Sequence, residues 1–85
     1  MTICNWSVYL LQCSDETYYC GITNDIMKRL ECHNSGKGAK YTRGRLPVTL
    51  LISTNAILSK AEALSLEHTV KQLPRNRKVS FIKSL

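Results

Sequence analysis

Two runs of β-branched, aromatic and aliphatic residues, Trp6 to Gln12 and Tyr18 to Thr23, stand either side of a polar break at Ser14-Asp15-Glu16-Thr17, and this arrangement restricts the fold more than any other feature. It predicts a β-hairpin near the start of the chain. Directly opposed residues on paired strands share a face. The odd-numbered Tyr9 and Tyr19 therefore face the same side only if opposed residue numbers add to an even total, which requires a connecting loop with an odd number of residues.

After the hairpin, Asn24 is the expected N-cap of a helix of about ten residues, with Asp25 in its first turn and an apolar stripe of Ile26, Met27 and Leu30 reaching about Cys32. Two glycines and a serine end that pattern in Ser35-Gly36-Lys37-Gly38-Ala39-Lys40, a basic loop. Pro47 to Ser53, with Val48, Leu50, Leu51 and Ile52, suits a buried third strand. Ser59-Lys60-Ala61-Glu62 fits a capping box, so a helix should run to about Gln72, and Pro74 suits the first turn of a last helix ending near Lys83. There is no internal repeat, low-complexity tract or linker.

Eighty-five residues are enough for one domain, 1–85, with a modest core and no separate recognition module. Twelve Lys and Arg against six Asp and Glu give a formal charge of +6, so polyanions are the expected partners. Lys37, Lys40, Arg43 and Arg45 fall in a stretch without an acid, as do Lys71, Arg75, Arg77, Lys78 and Lys83 after Glu67; ordinary solvated faces are the competing explanation. Cys4, Cys13, Cys20 and Cys32 form no tight pair of the kind that binds zinc and are expected to be reduced thiols filling apolar space. Met1 to Trp6 lacks the basic and apolar pattern of a leader, and no run approaches the roughly 18 apolar residues of a membrane span, so a soluble cytoplasmic protein is expected.

At about 100° per residue, Arg29 and His33 lie about 40° apart at the edge of the first helix's apolar stripe, where both can reach the sheet. An arginine fork and a histidine that titrates near neutral pH suit a phosphate site, although a solubilising arginine and a helix-terminal histidine explain them as well. On the later helix, Glu67 falls among Ala63, Leu66, Val70 and Leu73. A partly buried carboxylate needs a partner, either a cation or Lys71 one turn on. Tyr9 and Tyr19 serve as proton acceptors only if a nearby cation or metal lowers their ordinary pKa of about 10, and simple cross-strand packing is their default fate.

Together Ser7-Val8-Tyr9, Tyr19-Cys20-Gly21, Arg29, His33-Asn34, the segment from Ser35 to Gly44, and Glu67 resemble the GIY-YIG nuclease superfamily over nearly the whole chain. The likeness is to short stand-alone bacterial members related to the N-terminal domain of the nucleotide-excision nuclease. Ser7, Val8 and Cys20 depart from the family tripeptides at positions that carry no chemistry. The resemblance implies an α+β fold, with a small three-stranded antiparallel sheet flanked by helices in the order β-β-α-β-α-α. It also implies metal-dependent hydrolysis of one DNA strand to a 3′ hydroxyl and a 5′ phosphate. By that likeness Glu67 holds one Mg²⁺ or Mn²⁺ and Tyr9, or in second place Tyr19, activates water. Arg29 steadies the phosphate, His33 assists proton movement or phosphate contact, and Gly21 lets the backbone pass close to the site.

Lys37, Lys40, Tyr41, Arg43 and Arg45 form the expected DNA-backbone-gripping loop. The leading expectation is an endonuclease or nickase on branched, damaged or single-stranded DNA, reading structure rather than sequence and possessing a role in repair or recombination. A catalytically inactive nucleic-acid-binding module of the same fold is the first alternative. A basic protein-interaction or ribosome-associated domain is the second.

Overall fold

The computed structural model describes residues 3–85; Met1 and Thr2, which open the segment read for a leader, lie outside it. Strands β1 (Ser7–Gln12) and β2 (Tyr18–Thr23) form the expected hairpin, and β3 (Thr49–Ser53) pairs antiparallel with the other side of β1 to give the order β2-β1-β3. The helices are α1 (Ile26–Asn34), α2 (Lys40–Arg43), α3 (Lys60–Gln72) and α4 (Arg75–Lys83). The α+β architecture is the expected one, with a single helical turn added between α1 and β3.

Parity comes out as required. Tyr9 lies opposite Gly21 and Leu11 opposite Tyr19, and the loop from Cys13 to Thr17 has five residues. Asp15 shapes that loop by accepting the backbone N–H and the hydroxyl of Thr17 at 3.2 and 2.6 Å. The central strand β1 is covered on both faces, which is why Ser7 to Leu11 are all buried. Its even residues Val8 and Leu10 join Cys20, Ala63, Val70 and Ile82 under α3 and α4. Its odd residues Tyr9 and Leu11 join Cys13 and Val48, with Ile26 and Leu30 of α1 against them.

Local expectations fail in instructive places. Asp25, not Asn24, caps α1, accepting the Lys28 N–H at 3.1 Å while its own N–H is held by the Thr23 hydroxyl at 3.0 Å. Met27, one residue beyond Ile26, is carried about 100° off the stripe and is exposed. β3 is not buried as expected, because it is a sheet edge. Leu10 opposes Ile52 while Leu11 opposes Leu50, leaving Leu51 as an extra bulged residue, and Leu50 and Leu51 both reach solvent.

The basic segment is not wholly a loop. Past Gly38 no helix breaker intervenes before Gly44, and Lys40–Arg43 closes one turn, α2, in which the Thr42 N–H and hydroxyl both donate to the Ala39 carbonyl, at 3.0 and 2.8 Å. The capping box of α3 is present in full, with Ser59 and Glu62 exchanging hydrogen bonds at 2.9 and 3.1 Å. Cys13 and Cys20 are buried free thiols, but Cys4, ahead of β1, is exposed rather than filling apolar space. Among the described residues no helix is long and apolar enough to cross a membrane.

Candidate functional site

Four of the five residues expected to carry chemistry meet on the α1 face of the sheet. β1 directs Tyr9 across Gly21 of β2, where a Cβ would lie 2.5 Å from the phenol oxygen. Gly21 therefore lets the β2 backbone pass close against the Tyr9 ring. The Tyr9 hydroxyl lies 2.9 Å from His33 Nε2, and Arg29 Nε donates to the same oxygen over a longer 3.4 Å. The Tyr19 ring packs edge-on to His33, with centroids 5.4 Å apart, and lies 6.4 Å from the Tyr9 ring.

The other side of the imidazole fixes its protonation. His33 Nδ1 is 3.0 Å from Thr42 Oγ1 and 3.4 Å from the Ala39 N–H; because the Thr42 proton is committed to the Ala39 carbonyl at 2.8 Å, the shorter contact makes Thr42 an acceptor and assigns the hydrogen to Nδ1, at the expense of the longer one. Nε2 is then a lone pair facing the Tyr9 O–H. The result is an unbroken chain of donors: Arg29 to Tyr9, Tyr9 to His33, His33 to Thr42, Thr42 to Ala39. Gly38 packs directly on the imidazole, where a Cβ would overlap the ring.

Thr42 and Gly38 were absent from the sequence-derived site. The signal available was the close spacing of Gly38 and Thr42 behind His33. Asn34 likewise emerges as a brace, its amide exchanging two hydrogen bonds with the backbone of Val48, at 2.8 and 3.1 Å, which locks the end of α1 to the approach of β3.

Burial sets the electrostatics. Tyr9 is 1% exposed, and desolvation pushes its phenol up to about 12, against the opposing pull of the Arg29 hydrogen bond. Arg29 lowers the Tyr9 pKa through its hydrogen bond and its charge, but desolvation outweighs both and the net shift is upward. His33 is held below the ordinary imidazole range, first by burial and then by the Arg29 charge, and so stays neutral at physiological pH.

Glu67 is not part of this hydrogen-bonded group. It stands on α3, on the side of the sheet toward which Cys20 points, and its partner is Lys71 at 3.8 Å. Its side chain is 19% exposed, which fits the expected partial burial and the i,i+4 pair. The two regions meet around the β2 edge, where Lys71 lines a cleft of about 260 Å³ together with Tyr18, Tyr19, Cys20, Tyr41 and Lys78. Among the described residues no three His, Cys, Asp or Glu side chains converge as metal ligands.

The family model for the GIY-YIG catalytic domain matches residues 5–80 of this chain. The chain belongs to the GIY-YIG family. It is 54% identical over 76 residues to a UPF0213 protein of Streptococcus agalactiae, covering 89% of this chain and 85% of the relative. It is 54% identical over 71 residues to one from Halobacterium salinarum, covering 84% and 91%. The fold is similar to the solution NMR structure of a UPF0213 protein from Bacillus halodurans, at 45% identity and a TM-score of 0.55, covering 92% of this chain and 82% of that one. A protein from E. faecalis, also solved by NMR, gives 34% identity and a TM-score of 0.62, covering 99% and 90%. Membership implies a nuclease-like function on a DNA substrate.

Within this GIY-YIG domain the basic segment divides in two. Lys37, Lys40, Tyr41 and Arg43 are exposed. Arg45 is not free to grip a backbone, because its Nε is bonded to Asp15 at 2.9 Å, its Nη1 to the Tyr41 carbonyl at 2.7 Å, and its guanidinium lies 4.1 Å above the Tyr41 ring. Arg45 instead fixes Tyr41, which stacks on Tyr19 at 5.9 Å and 27°.

Proposed function

We propose that this GIY-YIG domain, a single unit over 1–85, is a metal-dependent endonuclease or nickase that hydrolyses DNA phosphodiester bonds and selects by strand structure rather than base sequence. The observation that carries this reading is the donor chain from Arg29 through Tyr9 and His33 to Thr42, which leaves a neutral imidazole nitrogen ready to take the tyrosine's proton. Arg29 holds Tyr9 at 3.4 Å, a contact weak enough to yield to a phosphate, whose two oxygens offer the guanidinium a better match. Turning Arg29 outward uncovers the phenol.

A water at Tyr9 then gives its proton to the phenol oxygen as Tyr9 passes its own to His33 Nε2. The water oxygen bonds to phosphorus, the bond to the 3′ oxygen breaks, and that oxygen takes a proton from solvent, giving a 3′ hydroxyl and a 5′ phosphate. His33, briefly an imidazolium, returns its proton to solvent. Tyr19, half-buried and beside His33, is the other candidate base.

Glu67 would hold the divalent ion, Mg²⁺ or Mn²⁺. The donor set fits, since the carboxylate's ion pair with Lys71 is a loose 3.8 Å, and Mg²⁺ is bound by one or two carboxylates with water and substrate phosphate supplying the rest. When bound, such an ion supplies positive charge against the phosphoryl and leaving oxygens. Lys37, Lys40 and Arg43 hold the DNA backbone, a cytoplasmic setting suits the free thiols, and DNA repair or recombination is the corresponding role.

The burial of Tyr9 and the distance of Glu67 from the donor chain favour one other reading, an inactive nucleic-acid-binding module. Cleavage of supercoiled plasmid in Mg²⁺ or Mn²⁺ decides between them. The nuclease reading expects nicking that Glu67→Ala abolishes while DNA binding persists. Nicking that survives in Glu67→Ala removes the metal role, and binding with no nicking in the unaltered protein establishes the inactive module.

A further inference from the structure

The cleft at the β2 edge has no part in the proton chain, yet it shares Tyr19 with it. We propose that this cleft is a subsite for one unpaired nucleobase of the strand being cut, so that the domain acts on single-stranded or locally unpaired DNA in preference to continuous duplex. The proposal rests on the nuclease reading and names its substrate class.

Three features point to that ligand. The first is the lining: Tyr18, Tyr19 and Tyr41 supply aromatic surface, and Lys71 and Lys78 supply cations, Lys71 loosely paired with Glu67 at 3.8 Å and Lys78 donating to the Val70 carbonyl at 2.7 Å. Flat apolar surface beside ammonium groups is complementary to a base with its flanking phosphates. The second is preorganisation. Tyr41 is 40% exposed, yet its ring is held between the Tyr19 ring and the Arg45 guanidinium, and Arg45 is itself tied to Asp15. Tyr18 is likewise fixed, under the Arg75 guanidinium at 4.4 Å.

An exposed aromatic ring clamped in one orientation offers stacking area at little entropic cost. Tyr41 has Tyr19 against one side and the Arg45 guanidinium against the other, so it walls the cleft with its edge, and the ring left to stack on the base is Tyr18, of which Arg75 covers one face. The third feature is position. Tyr19 touches His33 on one side and lines the cleft on the other, which sets the occupant beside the phosphate at Tyr9. A base within an intact duplex cannot enter without leaving its stack and its partner.

The test uses the full chain in EDTA, so that binding is read without cleavage, and oligonucleotides carrying one 2-aminopurine, whose fluorescence falls on stacking. The expected result is quenching and tight binding for a single strand and for a duplex with a one-base gap, with weaker binding and no quenching for the fully paired duplex. Tyr18→Ala should lose the quenching and weaken single-strand binding about tenfold, while Tyr18→Phe, which keeps the ring, should retain both. Equal binding of all three DNAs without quenching overturns the subsite, as does quenching that survives Tyr18→Ala. The two levels fail separately. Quenching by a protein that never cleaves in Mg²⁺ or Mn²⁺ upholds the cleft and removes the nuclease reading, whereas cleavage at equal rates on single strand and duplex does the reverse.

Discussion

On the α1 face of the sheet, the Tyr9 hydroxyl, both His33 nitrogens and the Thr42 hydroxyl are buried and bonded to one another or to Arg29 and Ala39. On the α3 face, the core of Val8, Leu10, Cys20, Ala63, Val70 and Ile82 is apolar, and the acid at its rim, Glu67, has one loose ion pair. The two halves of the candidate site are therefore coupled to the fold to different degrees. Buried polar groups are costly when a partner is lost, so the α1 face cannot be altered without affecting stability. A partly exposed ion pair contributes little, so Glu67 can be altered with little cost to the fold.

The sharpest way to break this contrast is Glu67→Gln. Metal-dependent cleavage should fall by about a thousandfold, the scale of losing a group that positions charge for the transition state, while the thermal midpoint barely moves. Single-turnover cleavage and thermal unfolding of the same preparation measure both. A large fall in the midpoint would show that Glu67 belongs to the fold after all.

His33→Ala should do the opposite and damage both properties. It leaves the Tyr9 hydroxyl without its acceptor and opens a cavity at a fully buried site, a loss of about 3 kcal/mol, together with a fall in cleavage of about a hundredfold or more. Urea denaturation gives the first quantity. If His33→Ala were as stable as the parent, the α1 face would not be the tightly coupled half.

This division also explains what the sequence could and could not disclose. The hairpin, its parity and the α3 capping box depend on residues adjacent in the chain or directly opposed, so Tyr9, Tyr19 and Ser59 could be placed from periodicity and spacing. The one-residue error at Asn24 came from Thr23, whose hydroxyl holds the Asp25 N–H and makes Asp25 the better cap. The exposure of Leu50 and Leu51 depends on which side of β1 the third strand joins, and that is a tertiary choice. Thr42 and Gly38 acquire meaning only once the segment after α1 folds back over His33. Arg45 looks like a DNA contact until Asp15, thirty positions earlier, is found beside it.

Titration probes the α1 face from within. The folded-state pKa of Tyr9, about 12, lies above the ordinary value near 10, so the fold favours the protonated phenol. Its contribution is fully present below pH 10 and is lost as the pH rises through 12, a change of about 2 to 3 kcal/mol for a group so completely buried. His33 has the opposite sign. Its pKa is depressed, so its contribution is present above the unfolded value near 6.5 and is lost as the pH falls through the folded value. Stability measured against Tyr9→Phe from pH 8 to 12 should show the difference closing at the alkaline end. A difference independent of pH would separate the phenol from the buried network.

The smallest change asks whether the donor chain has the direction assigned to it. Thr42→Val keeps the shape of the side chain but removes the acceptor of the His33 Nδ1 hydrogen, for a stability loss of about 1 kcal/mol. The nearest remaining polar neighbour of Nδ1 is then the Ala39 N–H, 3.4 Å away, which is a donor and favours a lone pair at Nδ1. The hydrogen moves to Nε2, where it confronts the Tyr9 oxygen and can no longer receive that group's proton. Nitrogen-15 NMR of the imidazole should show the protonated nitrogen change from Nδ1 to Nε2 in Thr42→Val and return in Thr42→Ser. Cleavage should fall about tenfold in the valine variant and recover in the serine variant. Thr42 acts here as a positioning residue, since loss of stability alone would not invert a tautomer. An unchanged tautomer in Thr42→Val would mean that the Tyr9 hydroxyl alone fixes the imidazole, and the chain of donors would end at His33.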